Sequence, residues 1–161
     1  MNYKALYEYV RDISQNIDIT TQFFHGRKEI TTLLPLAKPL LIYCLPFQST
    51  GSLTNGVLQT NESWQLTIMF LQQDQADSAI DQNDTEALQA EMEILTVCEN
   101  AATKFLHYFN ENLLTDELSE AADQLTINSF TKTPAIKDTM MLTGIILTMN
   151  VTVGDSFNYC C

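Results

Sequence analysis

Positive charge, glycine, proline and histidine are all scarce in this chain. It sets 8 Lys+Arg against 20 Asp+Glu, and at −12 it cannot neutralise a long run of phosphates. A dedicated nucleic-acid or anionic-membrane binder is thereby excluded. Only 5 Gly and 4 Pro interrupt 161 residues, too few for a fibrous or low-complexity protein. Histidine occurs twice, as His25 and His107, and neither sits beside a nucleophile; no Ser elbow, Walker loop, dinucleotide-binding glycine pattern or HExxH helix is present. The four cysteines, Cys44, Cys98, Cys160 and Cys161, form no CxxC and no Cys/His pair at zinc-ligand spacing, and adjacent Cys160 and Cys161 are poorly placed to bridge each other. They read as free thiols, buried or frayed. The longest apolar run, Pro39 to Phe47, is broken by Pro46 and falls well short of the ~20 residues a bilayer demands. Met1-Asn2-Tyr3-Lys4 leads into a helical pattern without an apolar h-region, so neither a secretory signal nor a membrane partner is expected.

What the chain does have is apolar content, 45 % against 17 % charged, and enough length to bury about 70 % of its unfolded surface. One domain, residues 1–161, is expected. Tyr3, Leu6, Tyr7, Val10, Ile13 and Ile17 recur at three- and four-residue steps, predicting an amphipathic helix that ends near Asn16. Phe23-Phe24-His25-Gly26-Arg27 reads as a turn, with Gly26 supplying the permissive backbone, and Pro35 and Pro39 bracket a loop. Leu40 to Leu45 is a short apolar run stopped by Pro46, a strand buried on both faces or lying under helices. From Gln48 to Asn61, Ser, Thr, Asn and Gly dominate, with Thr50-Gly51-Ser52 and Asn55-Gly56 as turn signals; residues 48–61 are read as a flexible arm or hairpin. Removing Thr50 to Gly56 is expected to leave folding intact. Trp64, Leu66, Ile68 and Phe70 alternate as one face of a strand. Residues 72–84 follow as an acidic linker whose Asp74, Asp77, Asp81 and Asp84 lack the order of a calcium loop.

The largest predicted element is a helix from Thr85 to Asn110, with Asn83 and Glu86 placed as a capping box. Its polar stripe is narrow. Leu88, Met92, Leu95, Ala102, Leu106 and Phe109 define one apolar flank, and Ala90, Ile94, Val97, Ala101, Phe105 and Tyr108 the other, so two partners are implied: the first helix and another subunit. Glu91 points into the middle of that apolar arc. Either it takes Arg11 or Arg27 as its partner, or it bends toward water and the positive end of the helix dipole. His107 reads as a solvated pair with Glu111, and His25 as exposed or bonded to backbone. An acidic loop from Thr115 to Asp123 precedes a strand over Leu125 to Thr131; Pro134 and Lys137-Asp138 punctuate what comes next. Met141 to Val153 is the closing strand. Strands in pairs around the helices predict an α+β fold, a mostly antiparallel sheet with a short N-terminal helix and one long helix packed on it. No catalytic set, cofactor site or metal-ligand set is read from these residues.

This order of elements, with Phe23-Phe24-x-Gly26-Arg27 after a first helix and Trp64-Gln65 opening a strand, resembles the tail terminator proteins of long-tailed bacteriophages. The likeness in architecture runs nearly the full length, while the stretch from Leu114 to Asp123 and the Cys160-Cys161 end depart from the pattern. It implies a virion structural protein, not an enzyme, in a homo-oligomeric ring, usually a hexamer. Such a ring caps the tail tube, stops polymerisation of the tail tube protein and joins the head-tail connector or stopper protein. The resemblance places it in the virion neck, with the host cytoplasm as the site of assembly.

On that reading Glu91, Arg27, Phe23, Phe24, Thr50, Gly51, Asn55 and Gly56 are candidates for a subunit or tube interface. Asp74, Asp77 and Asp81, with the stretch from Asp116 to Asp123, would supply lumen or rim charge past which DNA slides without specific binding. The alternatives are another neck or tail-completion protein, or a small α+β enzyme or ligand-binding domain in which Glu91, Asp74 and Asp77 act as acid, base or metal ligands.

Overall fold

The computed structural model describes residues 3–17, 21–26, 36, 38–51, 53–54, 57–58, 63–73, 85–111, 125–135 and 142–153. Two helices and eight strands occupy them: α1 (Tyr3–Ile17), β1 (Thr21–His25), β2 (Leu40–Cys44), β3 (Gln48–Thr50), β4 (Leu53–Thr54), β5 (Val57–Leu58), β6 (Ser63–Gln73), α2 (Thr85–Glu111), β7 (Leu125–Ala135) and β8 (Leu142–Val153). The fold is α+β. Leu6, Tyr9, Val10, Ile13 and Ile17 are the buried apolar residues of α1, at the steps that the pattern predicts.

The main sheet runs β1-β2-β6-β8-β7, with β3 also on β6. Because β8 pairs along β6 from Ser63 to Gln73, β2 and β3 lie end to end on the other edge of β6, at Ile68 to Leu71 and Ser63 to Gln65. Pro46 separates them, since it donates no hydrogen bond. All pairings are antiparallel except β1 with β2. This last pairing corrects the turn predicted at Phe23 to Arg27: residues through His25 are an edge strand, and the chain departs from it at Gly26, whose φ of 145° suits glycine. Pairing with a strand fifteen or more residues away creates that strand, so no local pattern announces it. The predicted strand from Leu125 likewise continues through Pro134 to Ala135, because an edge strand tolerates a residue without an N–H.

Both helices cover one face. Leu40, Ile42 and Cys44 of β2, Trp64 to Phe70 at alternate positions of β6, and Ile145 to Val151 of β8 meet α1 and the second half of α2 there. On the opposite face Leu41, Tyr43, Leu71 and Leu142 form a smaller cluster flanked by Phe24, Leu36, Leu45, Met69 and Ala135. β2 is therefore buried on both faces, as its unbroken apolar run predicts. The 48–61 segment holds β3, which is exposed, and β4 with β5, which pair only with each other as a separate two-stranded sheet. Deleting Thr50 to Gly56 is expected to leave the thermal unfolding midpoint within ~2 °C of the parent, because Thr50 and Gly51 are exposed and β4 pairs with β5 outside the main sheet. A collapsed transition would make the segment part of the core.

Candidate functional site

α2 divides into two halves with different surroundings. Cys98, Ala101, Ala102, Phe105 and Phe109 are its buried residues, whereas none of the described side chains from Thr85 to Val97 is fully buried. The boundary has a clear cause. Cys98 Sγ lies 4.0 Å from the carbonyl oxygen of Thr143, at the end of the sheet where β8 begins and β6 has run to Gln73. Residues before Cys98 thus continue past the sheet, and at ~1.5 Å of rise per residue Thr85 stands about 20 Å ahead of it. Ile94 and Leu95 are partly buried against the core. Around and before them the apolar pattern persists on exposed positions: Leu88 is 50 %, Met92 55 % and Val97 46 % exposed.

Glu91 lies on the helix line of Cys98, Phe105 and Phe109 but two turns nearer the N-terminus, on the overhanging part, where it is half-buried. Its carboxylate makes no salt bridge among the described residues. Arg11, one of its two proposed partners, is held by Asp12 at 2.8 Å, and Arg27, the other, lies outside the described residues. Of the remaining interface candidates, Phe23 packs beside Tyr7 on the helix side of β1, with ring centroids 6.1 Å apart. Phe24 turns to the other side and stacks on Tyr43 at 5.4 Å. Thr50 ends β3 with its hydroxyl donating to the Ser63 carbonyl, and Gly51 is exposed with open space around its Cα. Asn55, Gly56, Asp74, Asp77, Asp81 and the stretch from Asp116 to Asp123 lie outside the described residues, as do Asn83, Cys160 and Cys161. The interface candidates among the described residues, Glu91, Phe23, Phe24, Thr50 and Gly51, do not form one cluster.

Charge is sorted by element in a way the sequence pattern did not suggest. Among the described residues every carboxylate is helical: Glu8 and Asp12 on α1, and Glu86, Glu91, Glu93, Glu99 and Glu111 on α2. The strands carry none, and their only cation, Lys132, reaches over to α2, donating to the Thr103 hydroxyl at 2.7 Å with Glu99 3.8 Å away. On the open part of the sheet face, β3, β6, β7 and β8 present only Thr, Ser, Asn and Gln, partly knit together by Asn150 donating to Ser129 and Thr152 donating to Asn128. Among the described residues no His, Cys, Asp and Glu group is arranged to hold a metal ion, and no helix is long and apolar enough to cross a membrane. Cys44 and Cys98 are free and buried, and burial pushes the Cys98 thiol up to about 12.

His25 joins three elements. Its Nδ1 donates to the Cys44 carbonyl at 3.1 Å, since that oxygen only accepts, and its Nε2 accepts from the Tyr3 hydroxyl at 2.9 Å. The Phe47 amide donates to the same Tyr3 oxygen, while the rings of Tyr7 and Phe47 lie 5.0 Å from the imidazole. Burial lowers the His25 pKa, partly offset by the Cys44 hydrogen bond. The unfolded chain consequently binds this proton more readily, so His25 contributes stability that is lost as pH falls from about 6.5 toward its lowered folded value. Thermal midpoints measured between pH 7.5 and 5.5 are expected to fall with acidity, with a shallower slope in His25→Gln. Equal slopes in the two proteins would remove His25 as the cause. His107 stays exposed, 3.2 Å from Glu111, as its helical spacing predicts.

No family model matches the chain, and no curated protein matches it.

Proposed function

We propose that this protein is a self-assembling virion subunit of the tail-terminator kind, forming a ring that caps the tail tube of a long-tailed phage, stops its growth and joins it to the head connector. The observation that carries the reading is the overhang of α2, with Leu88, Met92 and Val97 exposed on a helix whose other half is core. Apolar side chains repeated at helical spacing beyond the end of the sheet suit contact with another protein surface. The resemblance supplies what that surface belongs to: further copies of this chain, the tube protein and the connector. On the same reading the protein works in the virion neck after assembly in the host cytoplasm, and Asp74, Asp77 and Asp81 contribute negative charge toward the DNA passage.

Light scattering coupled to size exclusion tests self-assembly. Wild type is expected to form a closed oligomer, and Leu88→Glu with Met92→Glu is expected to give a monomer whose circular dichroism and melting are unchanged. Adding wild type to growing tubes of a long-tailed phage's tube protein is expected to arrest them at one capped ring per end. A protein that stays monomeric at high concentration and leaves tube growth untouched would overturn the proposal.

A further inference from the structure

Granted the self-assembly proposed above, the structure also indicates which two surfaces meet. We infer that copies join head to tail, the overhanging half of α2 in one copy lying on the open sheet face of the next.

Charge distribution selects this pairing. A helix-to-helix contact would set Glu86, Glu91 and Glu93 of one copy against the same carboxylates of another, in a chain of net charge −12. Among the described residues the open sheet face carries no carboxylate, so none of these sets a like charge against the acidic helix there. Its composition departs from that of a merely solvated face. Surfaces in water carry roughly 25–35 % charged residues, yet Gln65, Thr131, Thr133, Thr148 and Asn150, with the polar positions around them, include no charge of either sign.

Shape agrees with charge. β6, β8 and β7 lie side by side, and short of the Leu71 and Leu142 cluster the open part spans Ser63 to Met69 on β6, which at ~4.8 Å between strands and ~3.3 Å per residue makes a face roughly 14 Å by 23 Å. One helix of ~10 Å diameter fits across it. Met69 and Ile146, directly paired and half-buried, border the polar part beside Thr133 and offer apolar contact to Leu88 and Met92. Because the two surfaces differ, each pair keeps one free helix and one free sheet face, so such contacts propagate, and they close into a ring where the rotation between copies brings the ends together.

The test is a mixing experiment with two variants followed by light scattering, each first checked by its melting transition. The helix variant is Leu88→Glu with Met92→Glu; the sheet variant is Thr131→Glu with Thr133→Glu, at two exposed positions of β7. Each alone is expected to associate at least ~tenfold more weakly than wild type. Mixed at equal amounts they are expected to form a heterodimer and nothing larger, since one intact helix meets one intact sheet. Thr131→Lys with Thr133→Lys is expected to associate at least as well as wild type and to lose that gain in high salt, which separates charge from bulk as the cause. A sheet variant that assembles like wild type overturns this inference and leaves self-assembly standing. A wild type that never associates overturns both.

Discussion

Replacing Gly144 by alanine is expected to be among the most damaging single changes the chain can suffer. Gly144 is in β8, between Leu71 of β6 and Ala135 of β7, with a strand paired on each side. A Cβ there would stand 1.9 Å from the Phe70 carbonyl oxygen, 2.8 Å from its carbon and 2.9 Å from the Leu71 Cα. Ordinary carbon-to-oxygen approaches between strands are about 3.3–3.6 Å. All three atoms are backbone, so no rotamer change relieves the contact; β6 and β8 must part or β8 must shift. A cost of ~4 kcal/mol or more follows, against a total stability of about 5–15 kcal/mol. Melting is expected to drop by roughly 8–16 °C or the protein to be recovered insoluble. Gly51→Ala is the control: nothing lies within 4 Å of its Cβ position, and a change within about 0.5 kcal/mol is expected. A Gly144→Ala protein melting like wild type would rule out the β6-β8 register.

Gly144 also shows what a sequence discloses and what it withholds. The alternation around it marked the strand from Met141 to Val153, and β8 indeed covers Leu142–Val153. Alternation in β6 and the three- to four-residue period of both helices were legible for the same reason: each element repeats its burial pattern many times within itself. β1 was not legible. Its five residues become a strand through parallel pairing with β2, and the two aromatics beside Gly26 look the same in a turn. Phe23 and Phe24 then face opposite sides of the sheet, each against a tyrosine of this chain. For Glu91 the helical wheel gave the correct direction but carried no information along the axis, so it could not tell that the sheet ends near Cys98. The charge sorting is likewise a property of the assembled layers: seven described carboxylates scattered through the sequence all fall on helices, and only the fold sets them apart from the strands, which among the described residues carry none.

Phe105→Ala is the counterpart of the overhang variants on the same helix. Phe105 is fully buried on α2, with Phe70 of β6 5.9 Å away edge-on and Phe109 5.9 Å away along the helix. Phe109 in turn meets Tyr9 of α1 at 5.1 Å, and the Tyr9 hydroxyl donates to the Phe109 carbonyl at 2.9 Å. The ring of Phe105 is thus the link through which sheet, α2 and α1 share one core. Truncating it removes its transfer free energy and leaves a cavity that two strands and two helices cannot all close, at a cost of ~3–5 kcal/mol. Roughly 6–20 °C of melting temperature should be lost. Leu88 and Met92, 17 and 13 residues earlier on the same helix, are 50 % and 55 % exposed, so their replacement by glutamate should leave melting unchanged while abolishing the proposed assembly. The two phenotypes, fold without assembly and loss of fold, should divide at Cys98, where α2 leaves the sheet. If Phe105→Ala melted like wild type, or if Leu88→Glu with Met92→Glu unfolded the monomer, the division of α2 into a structural half and an assembly half would be wrong.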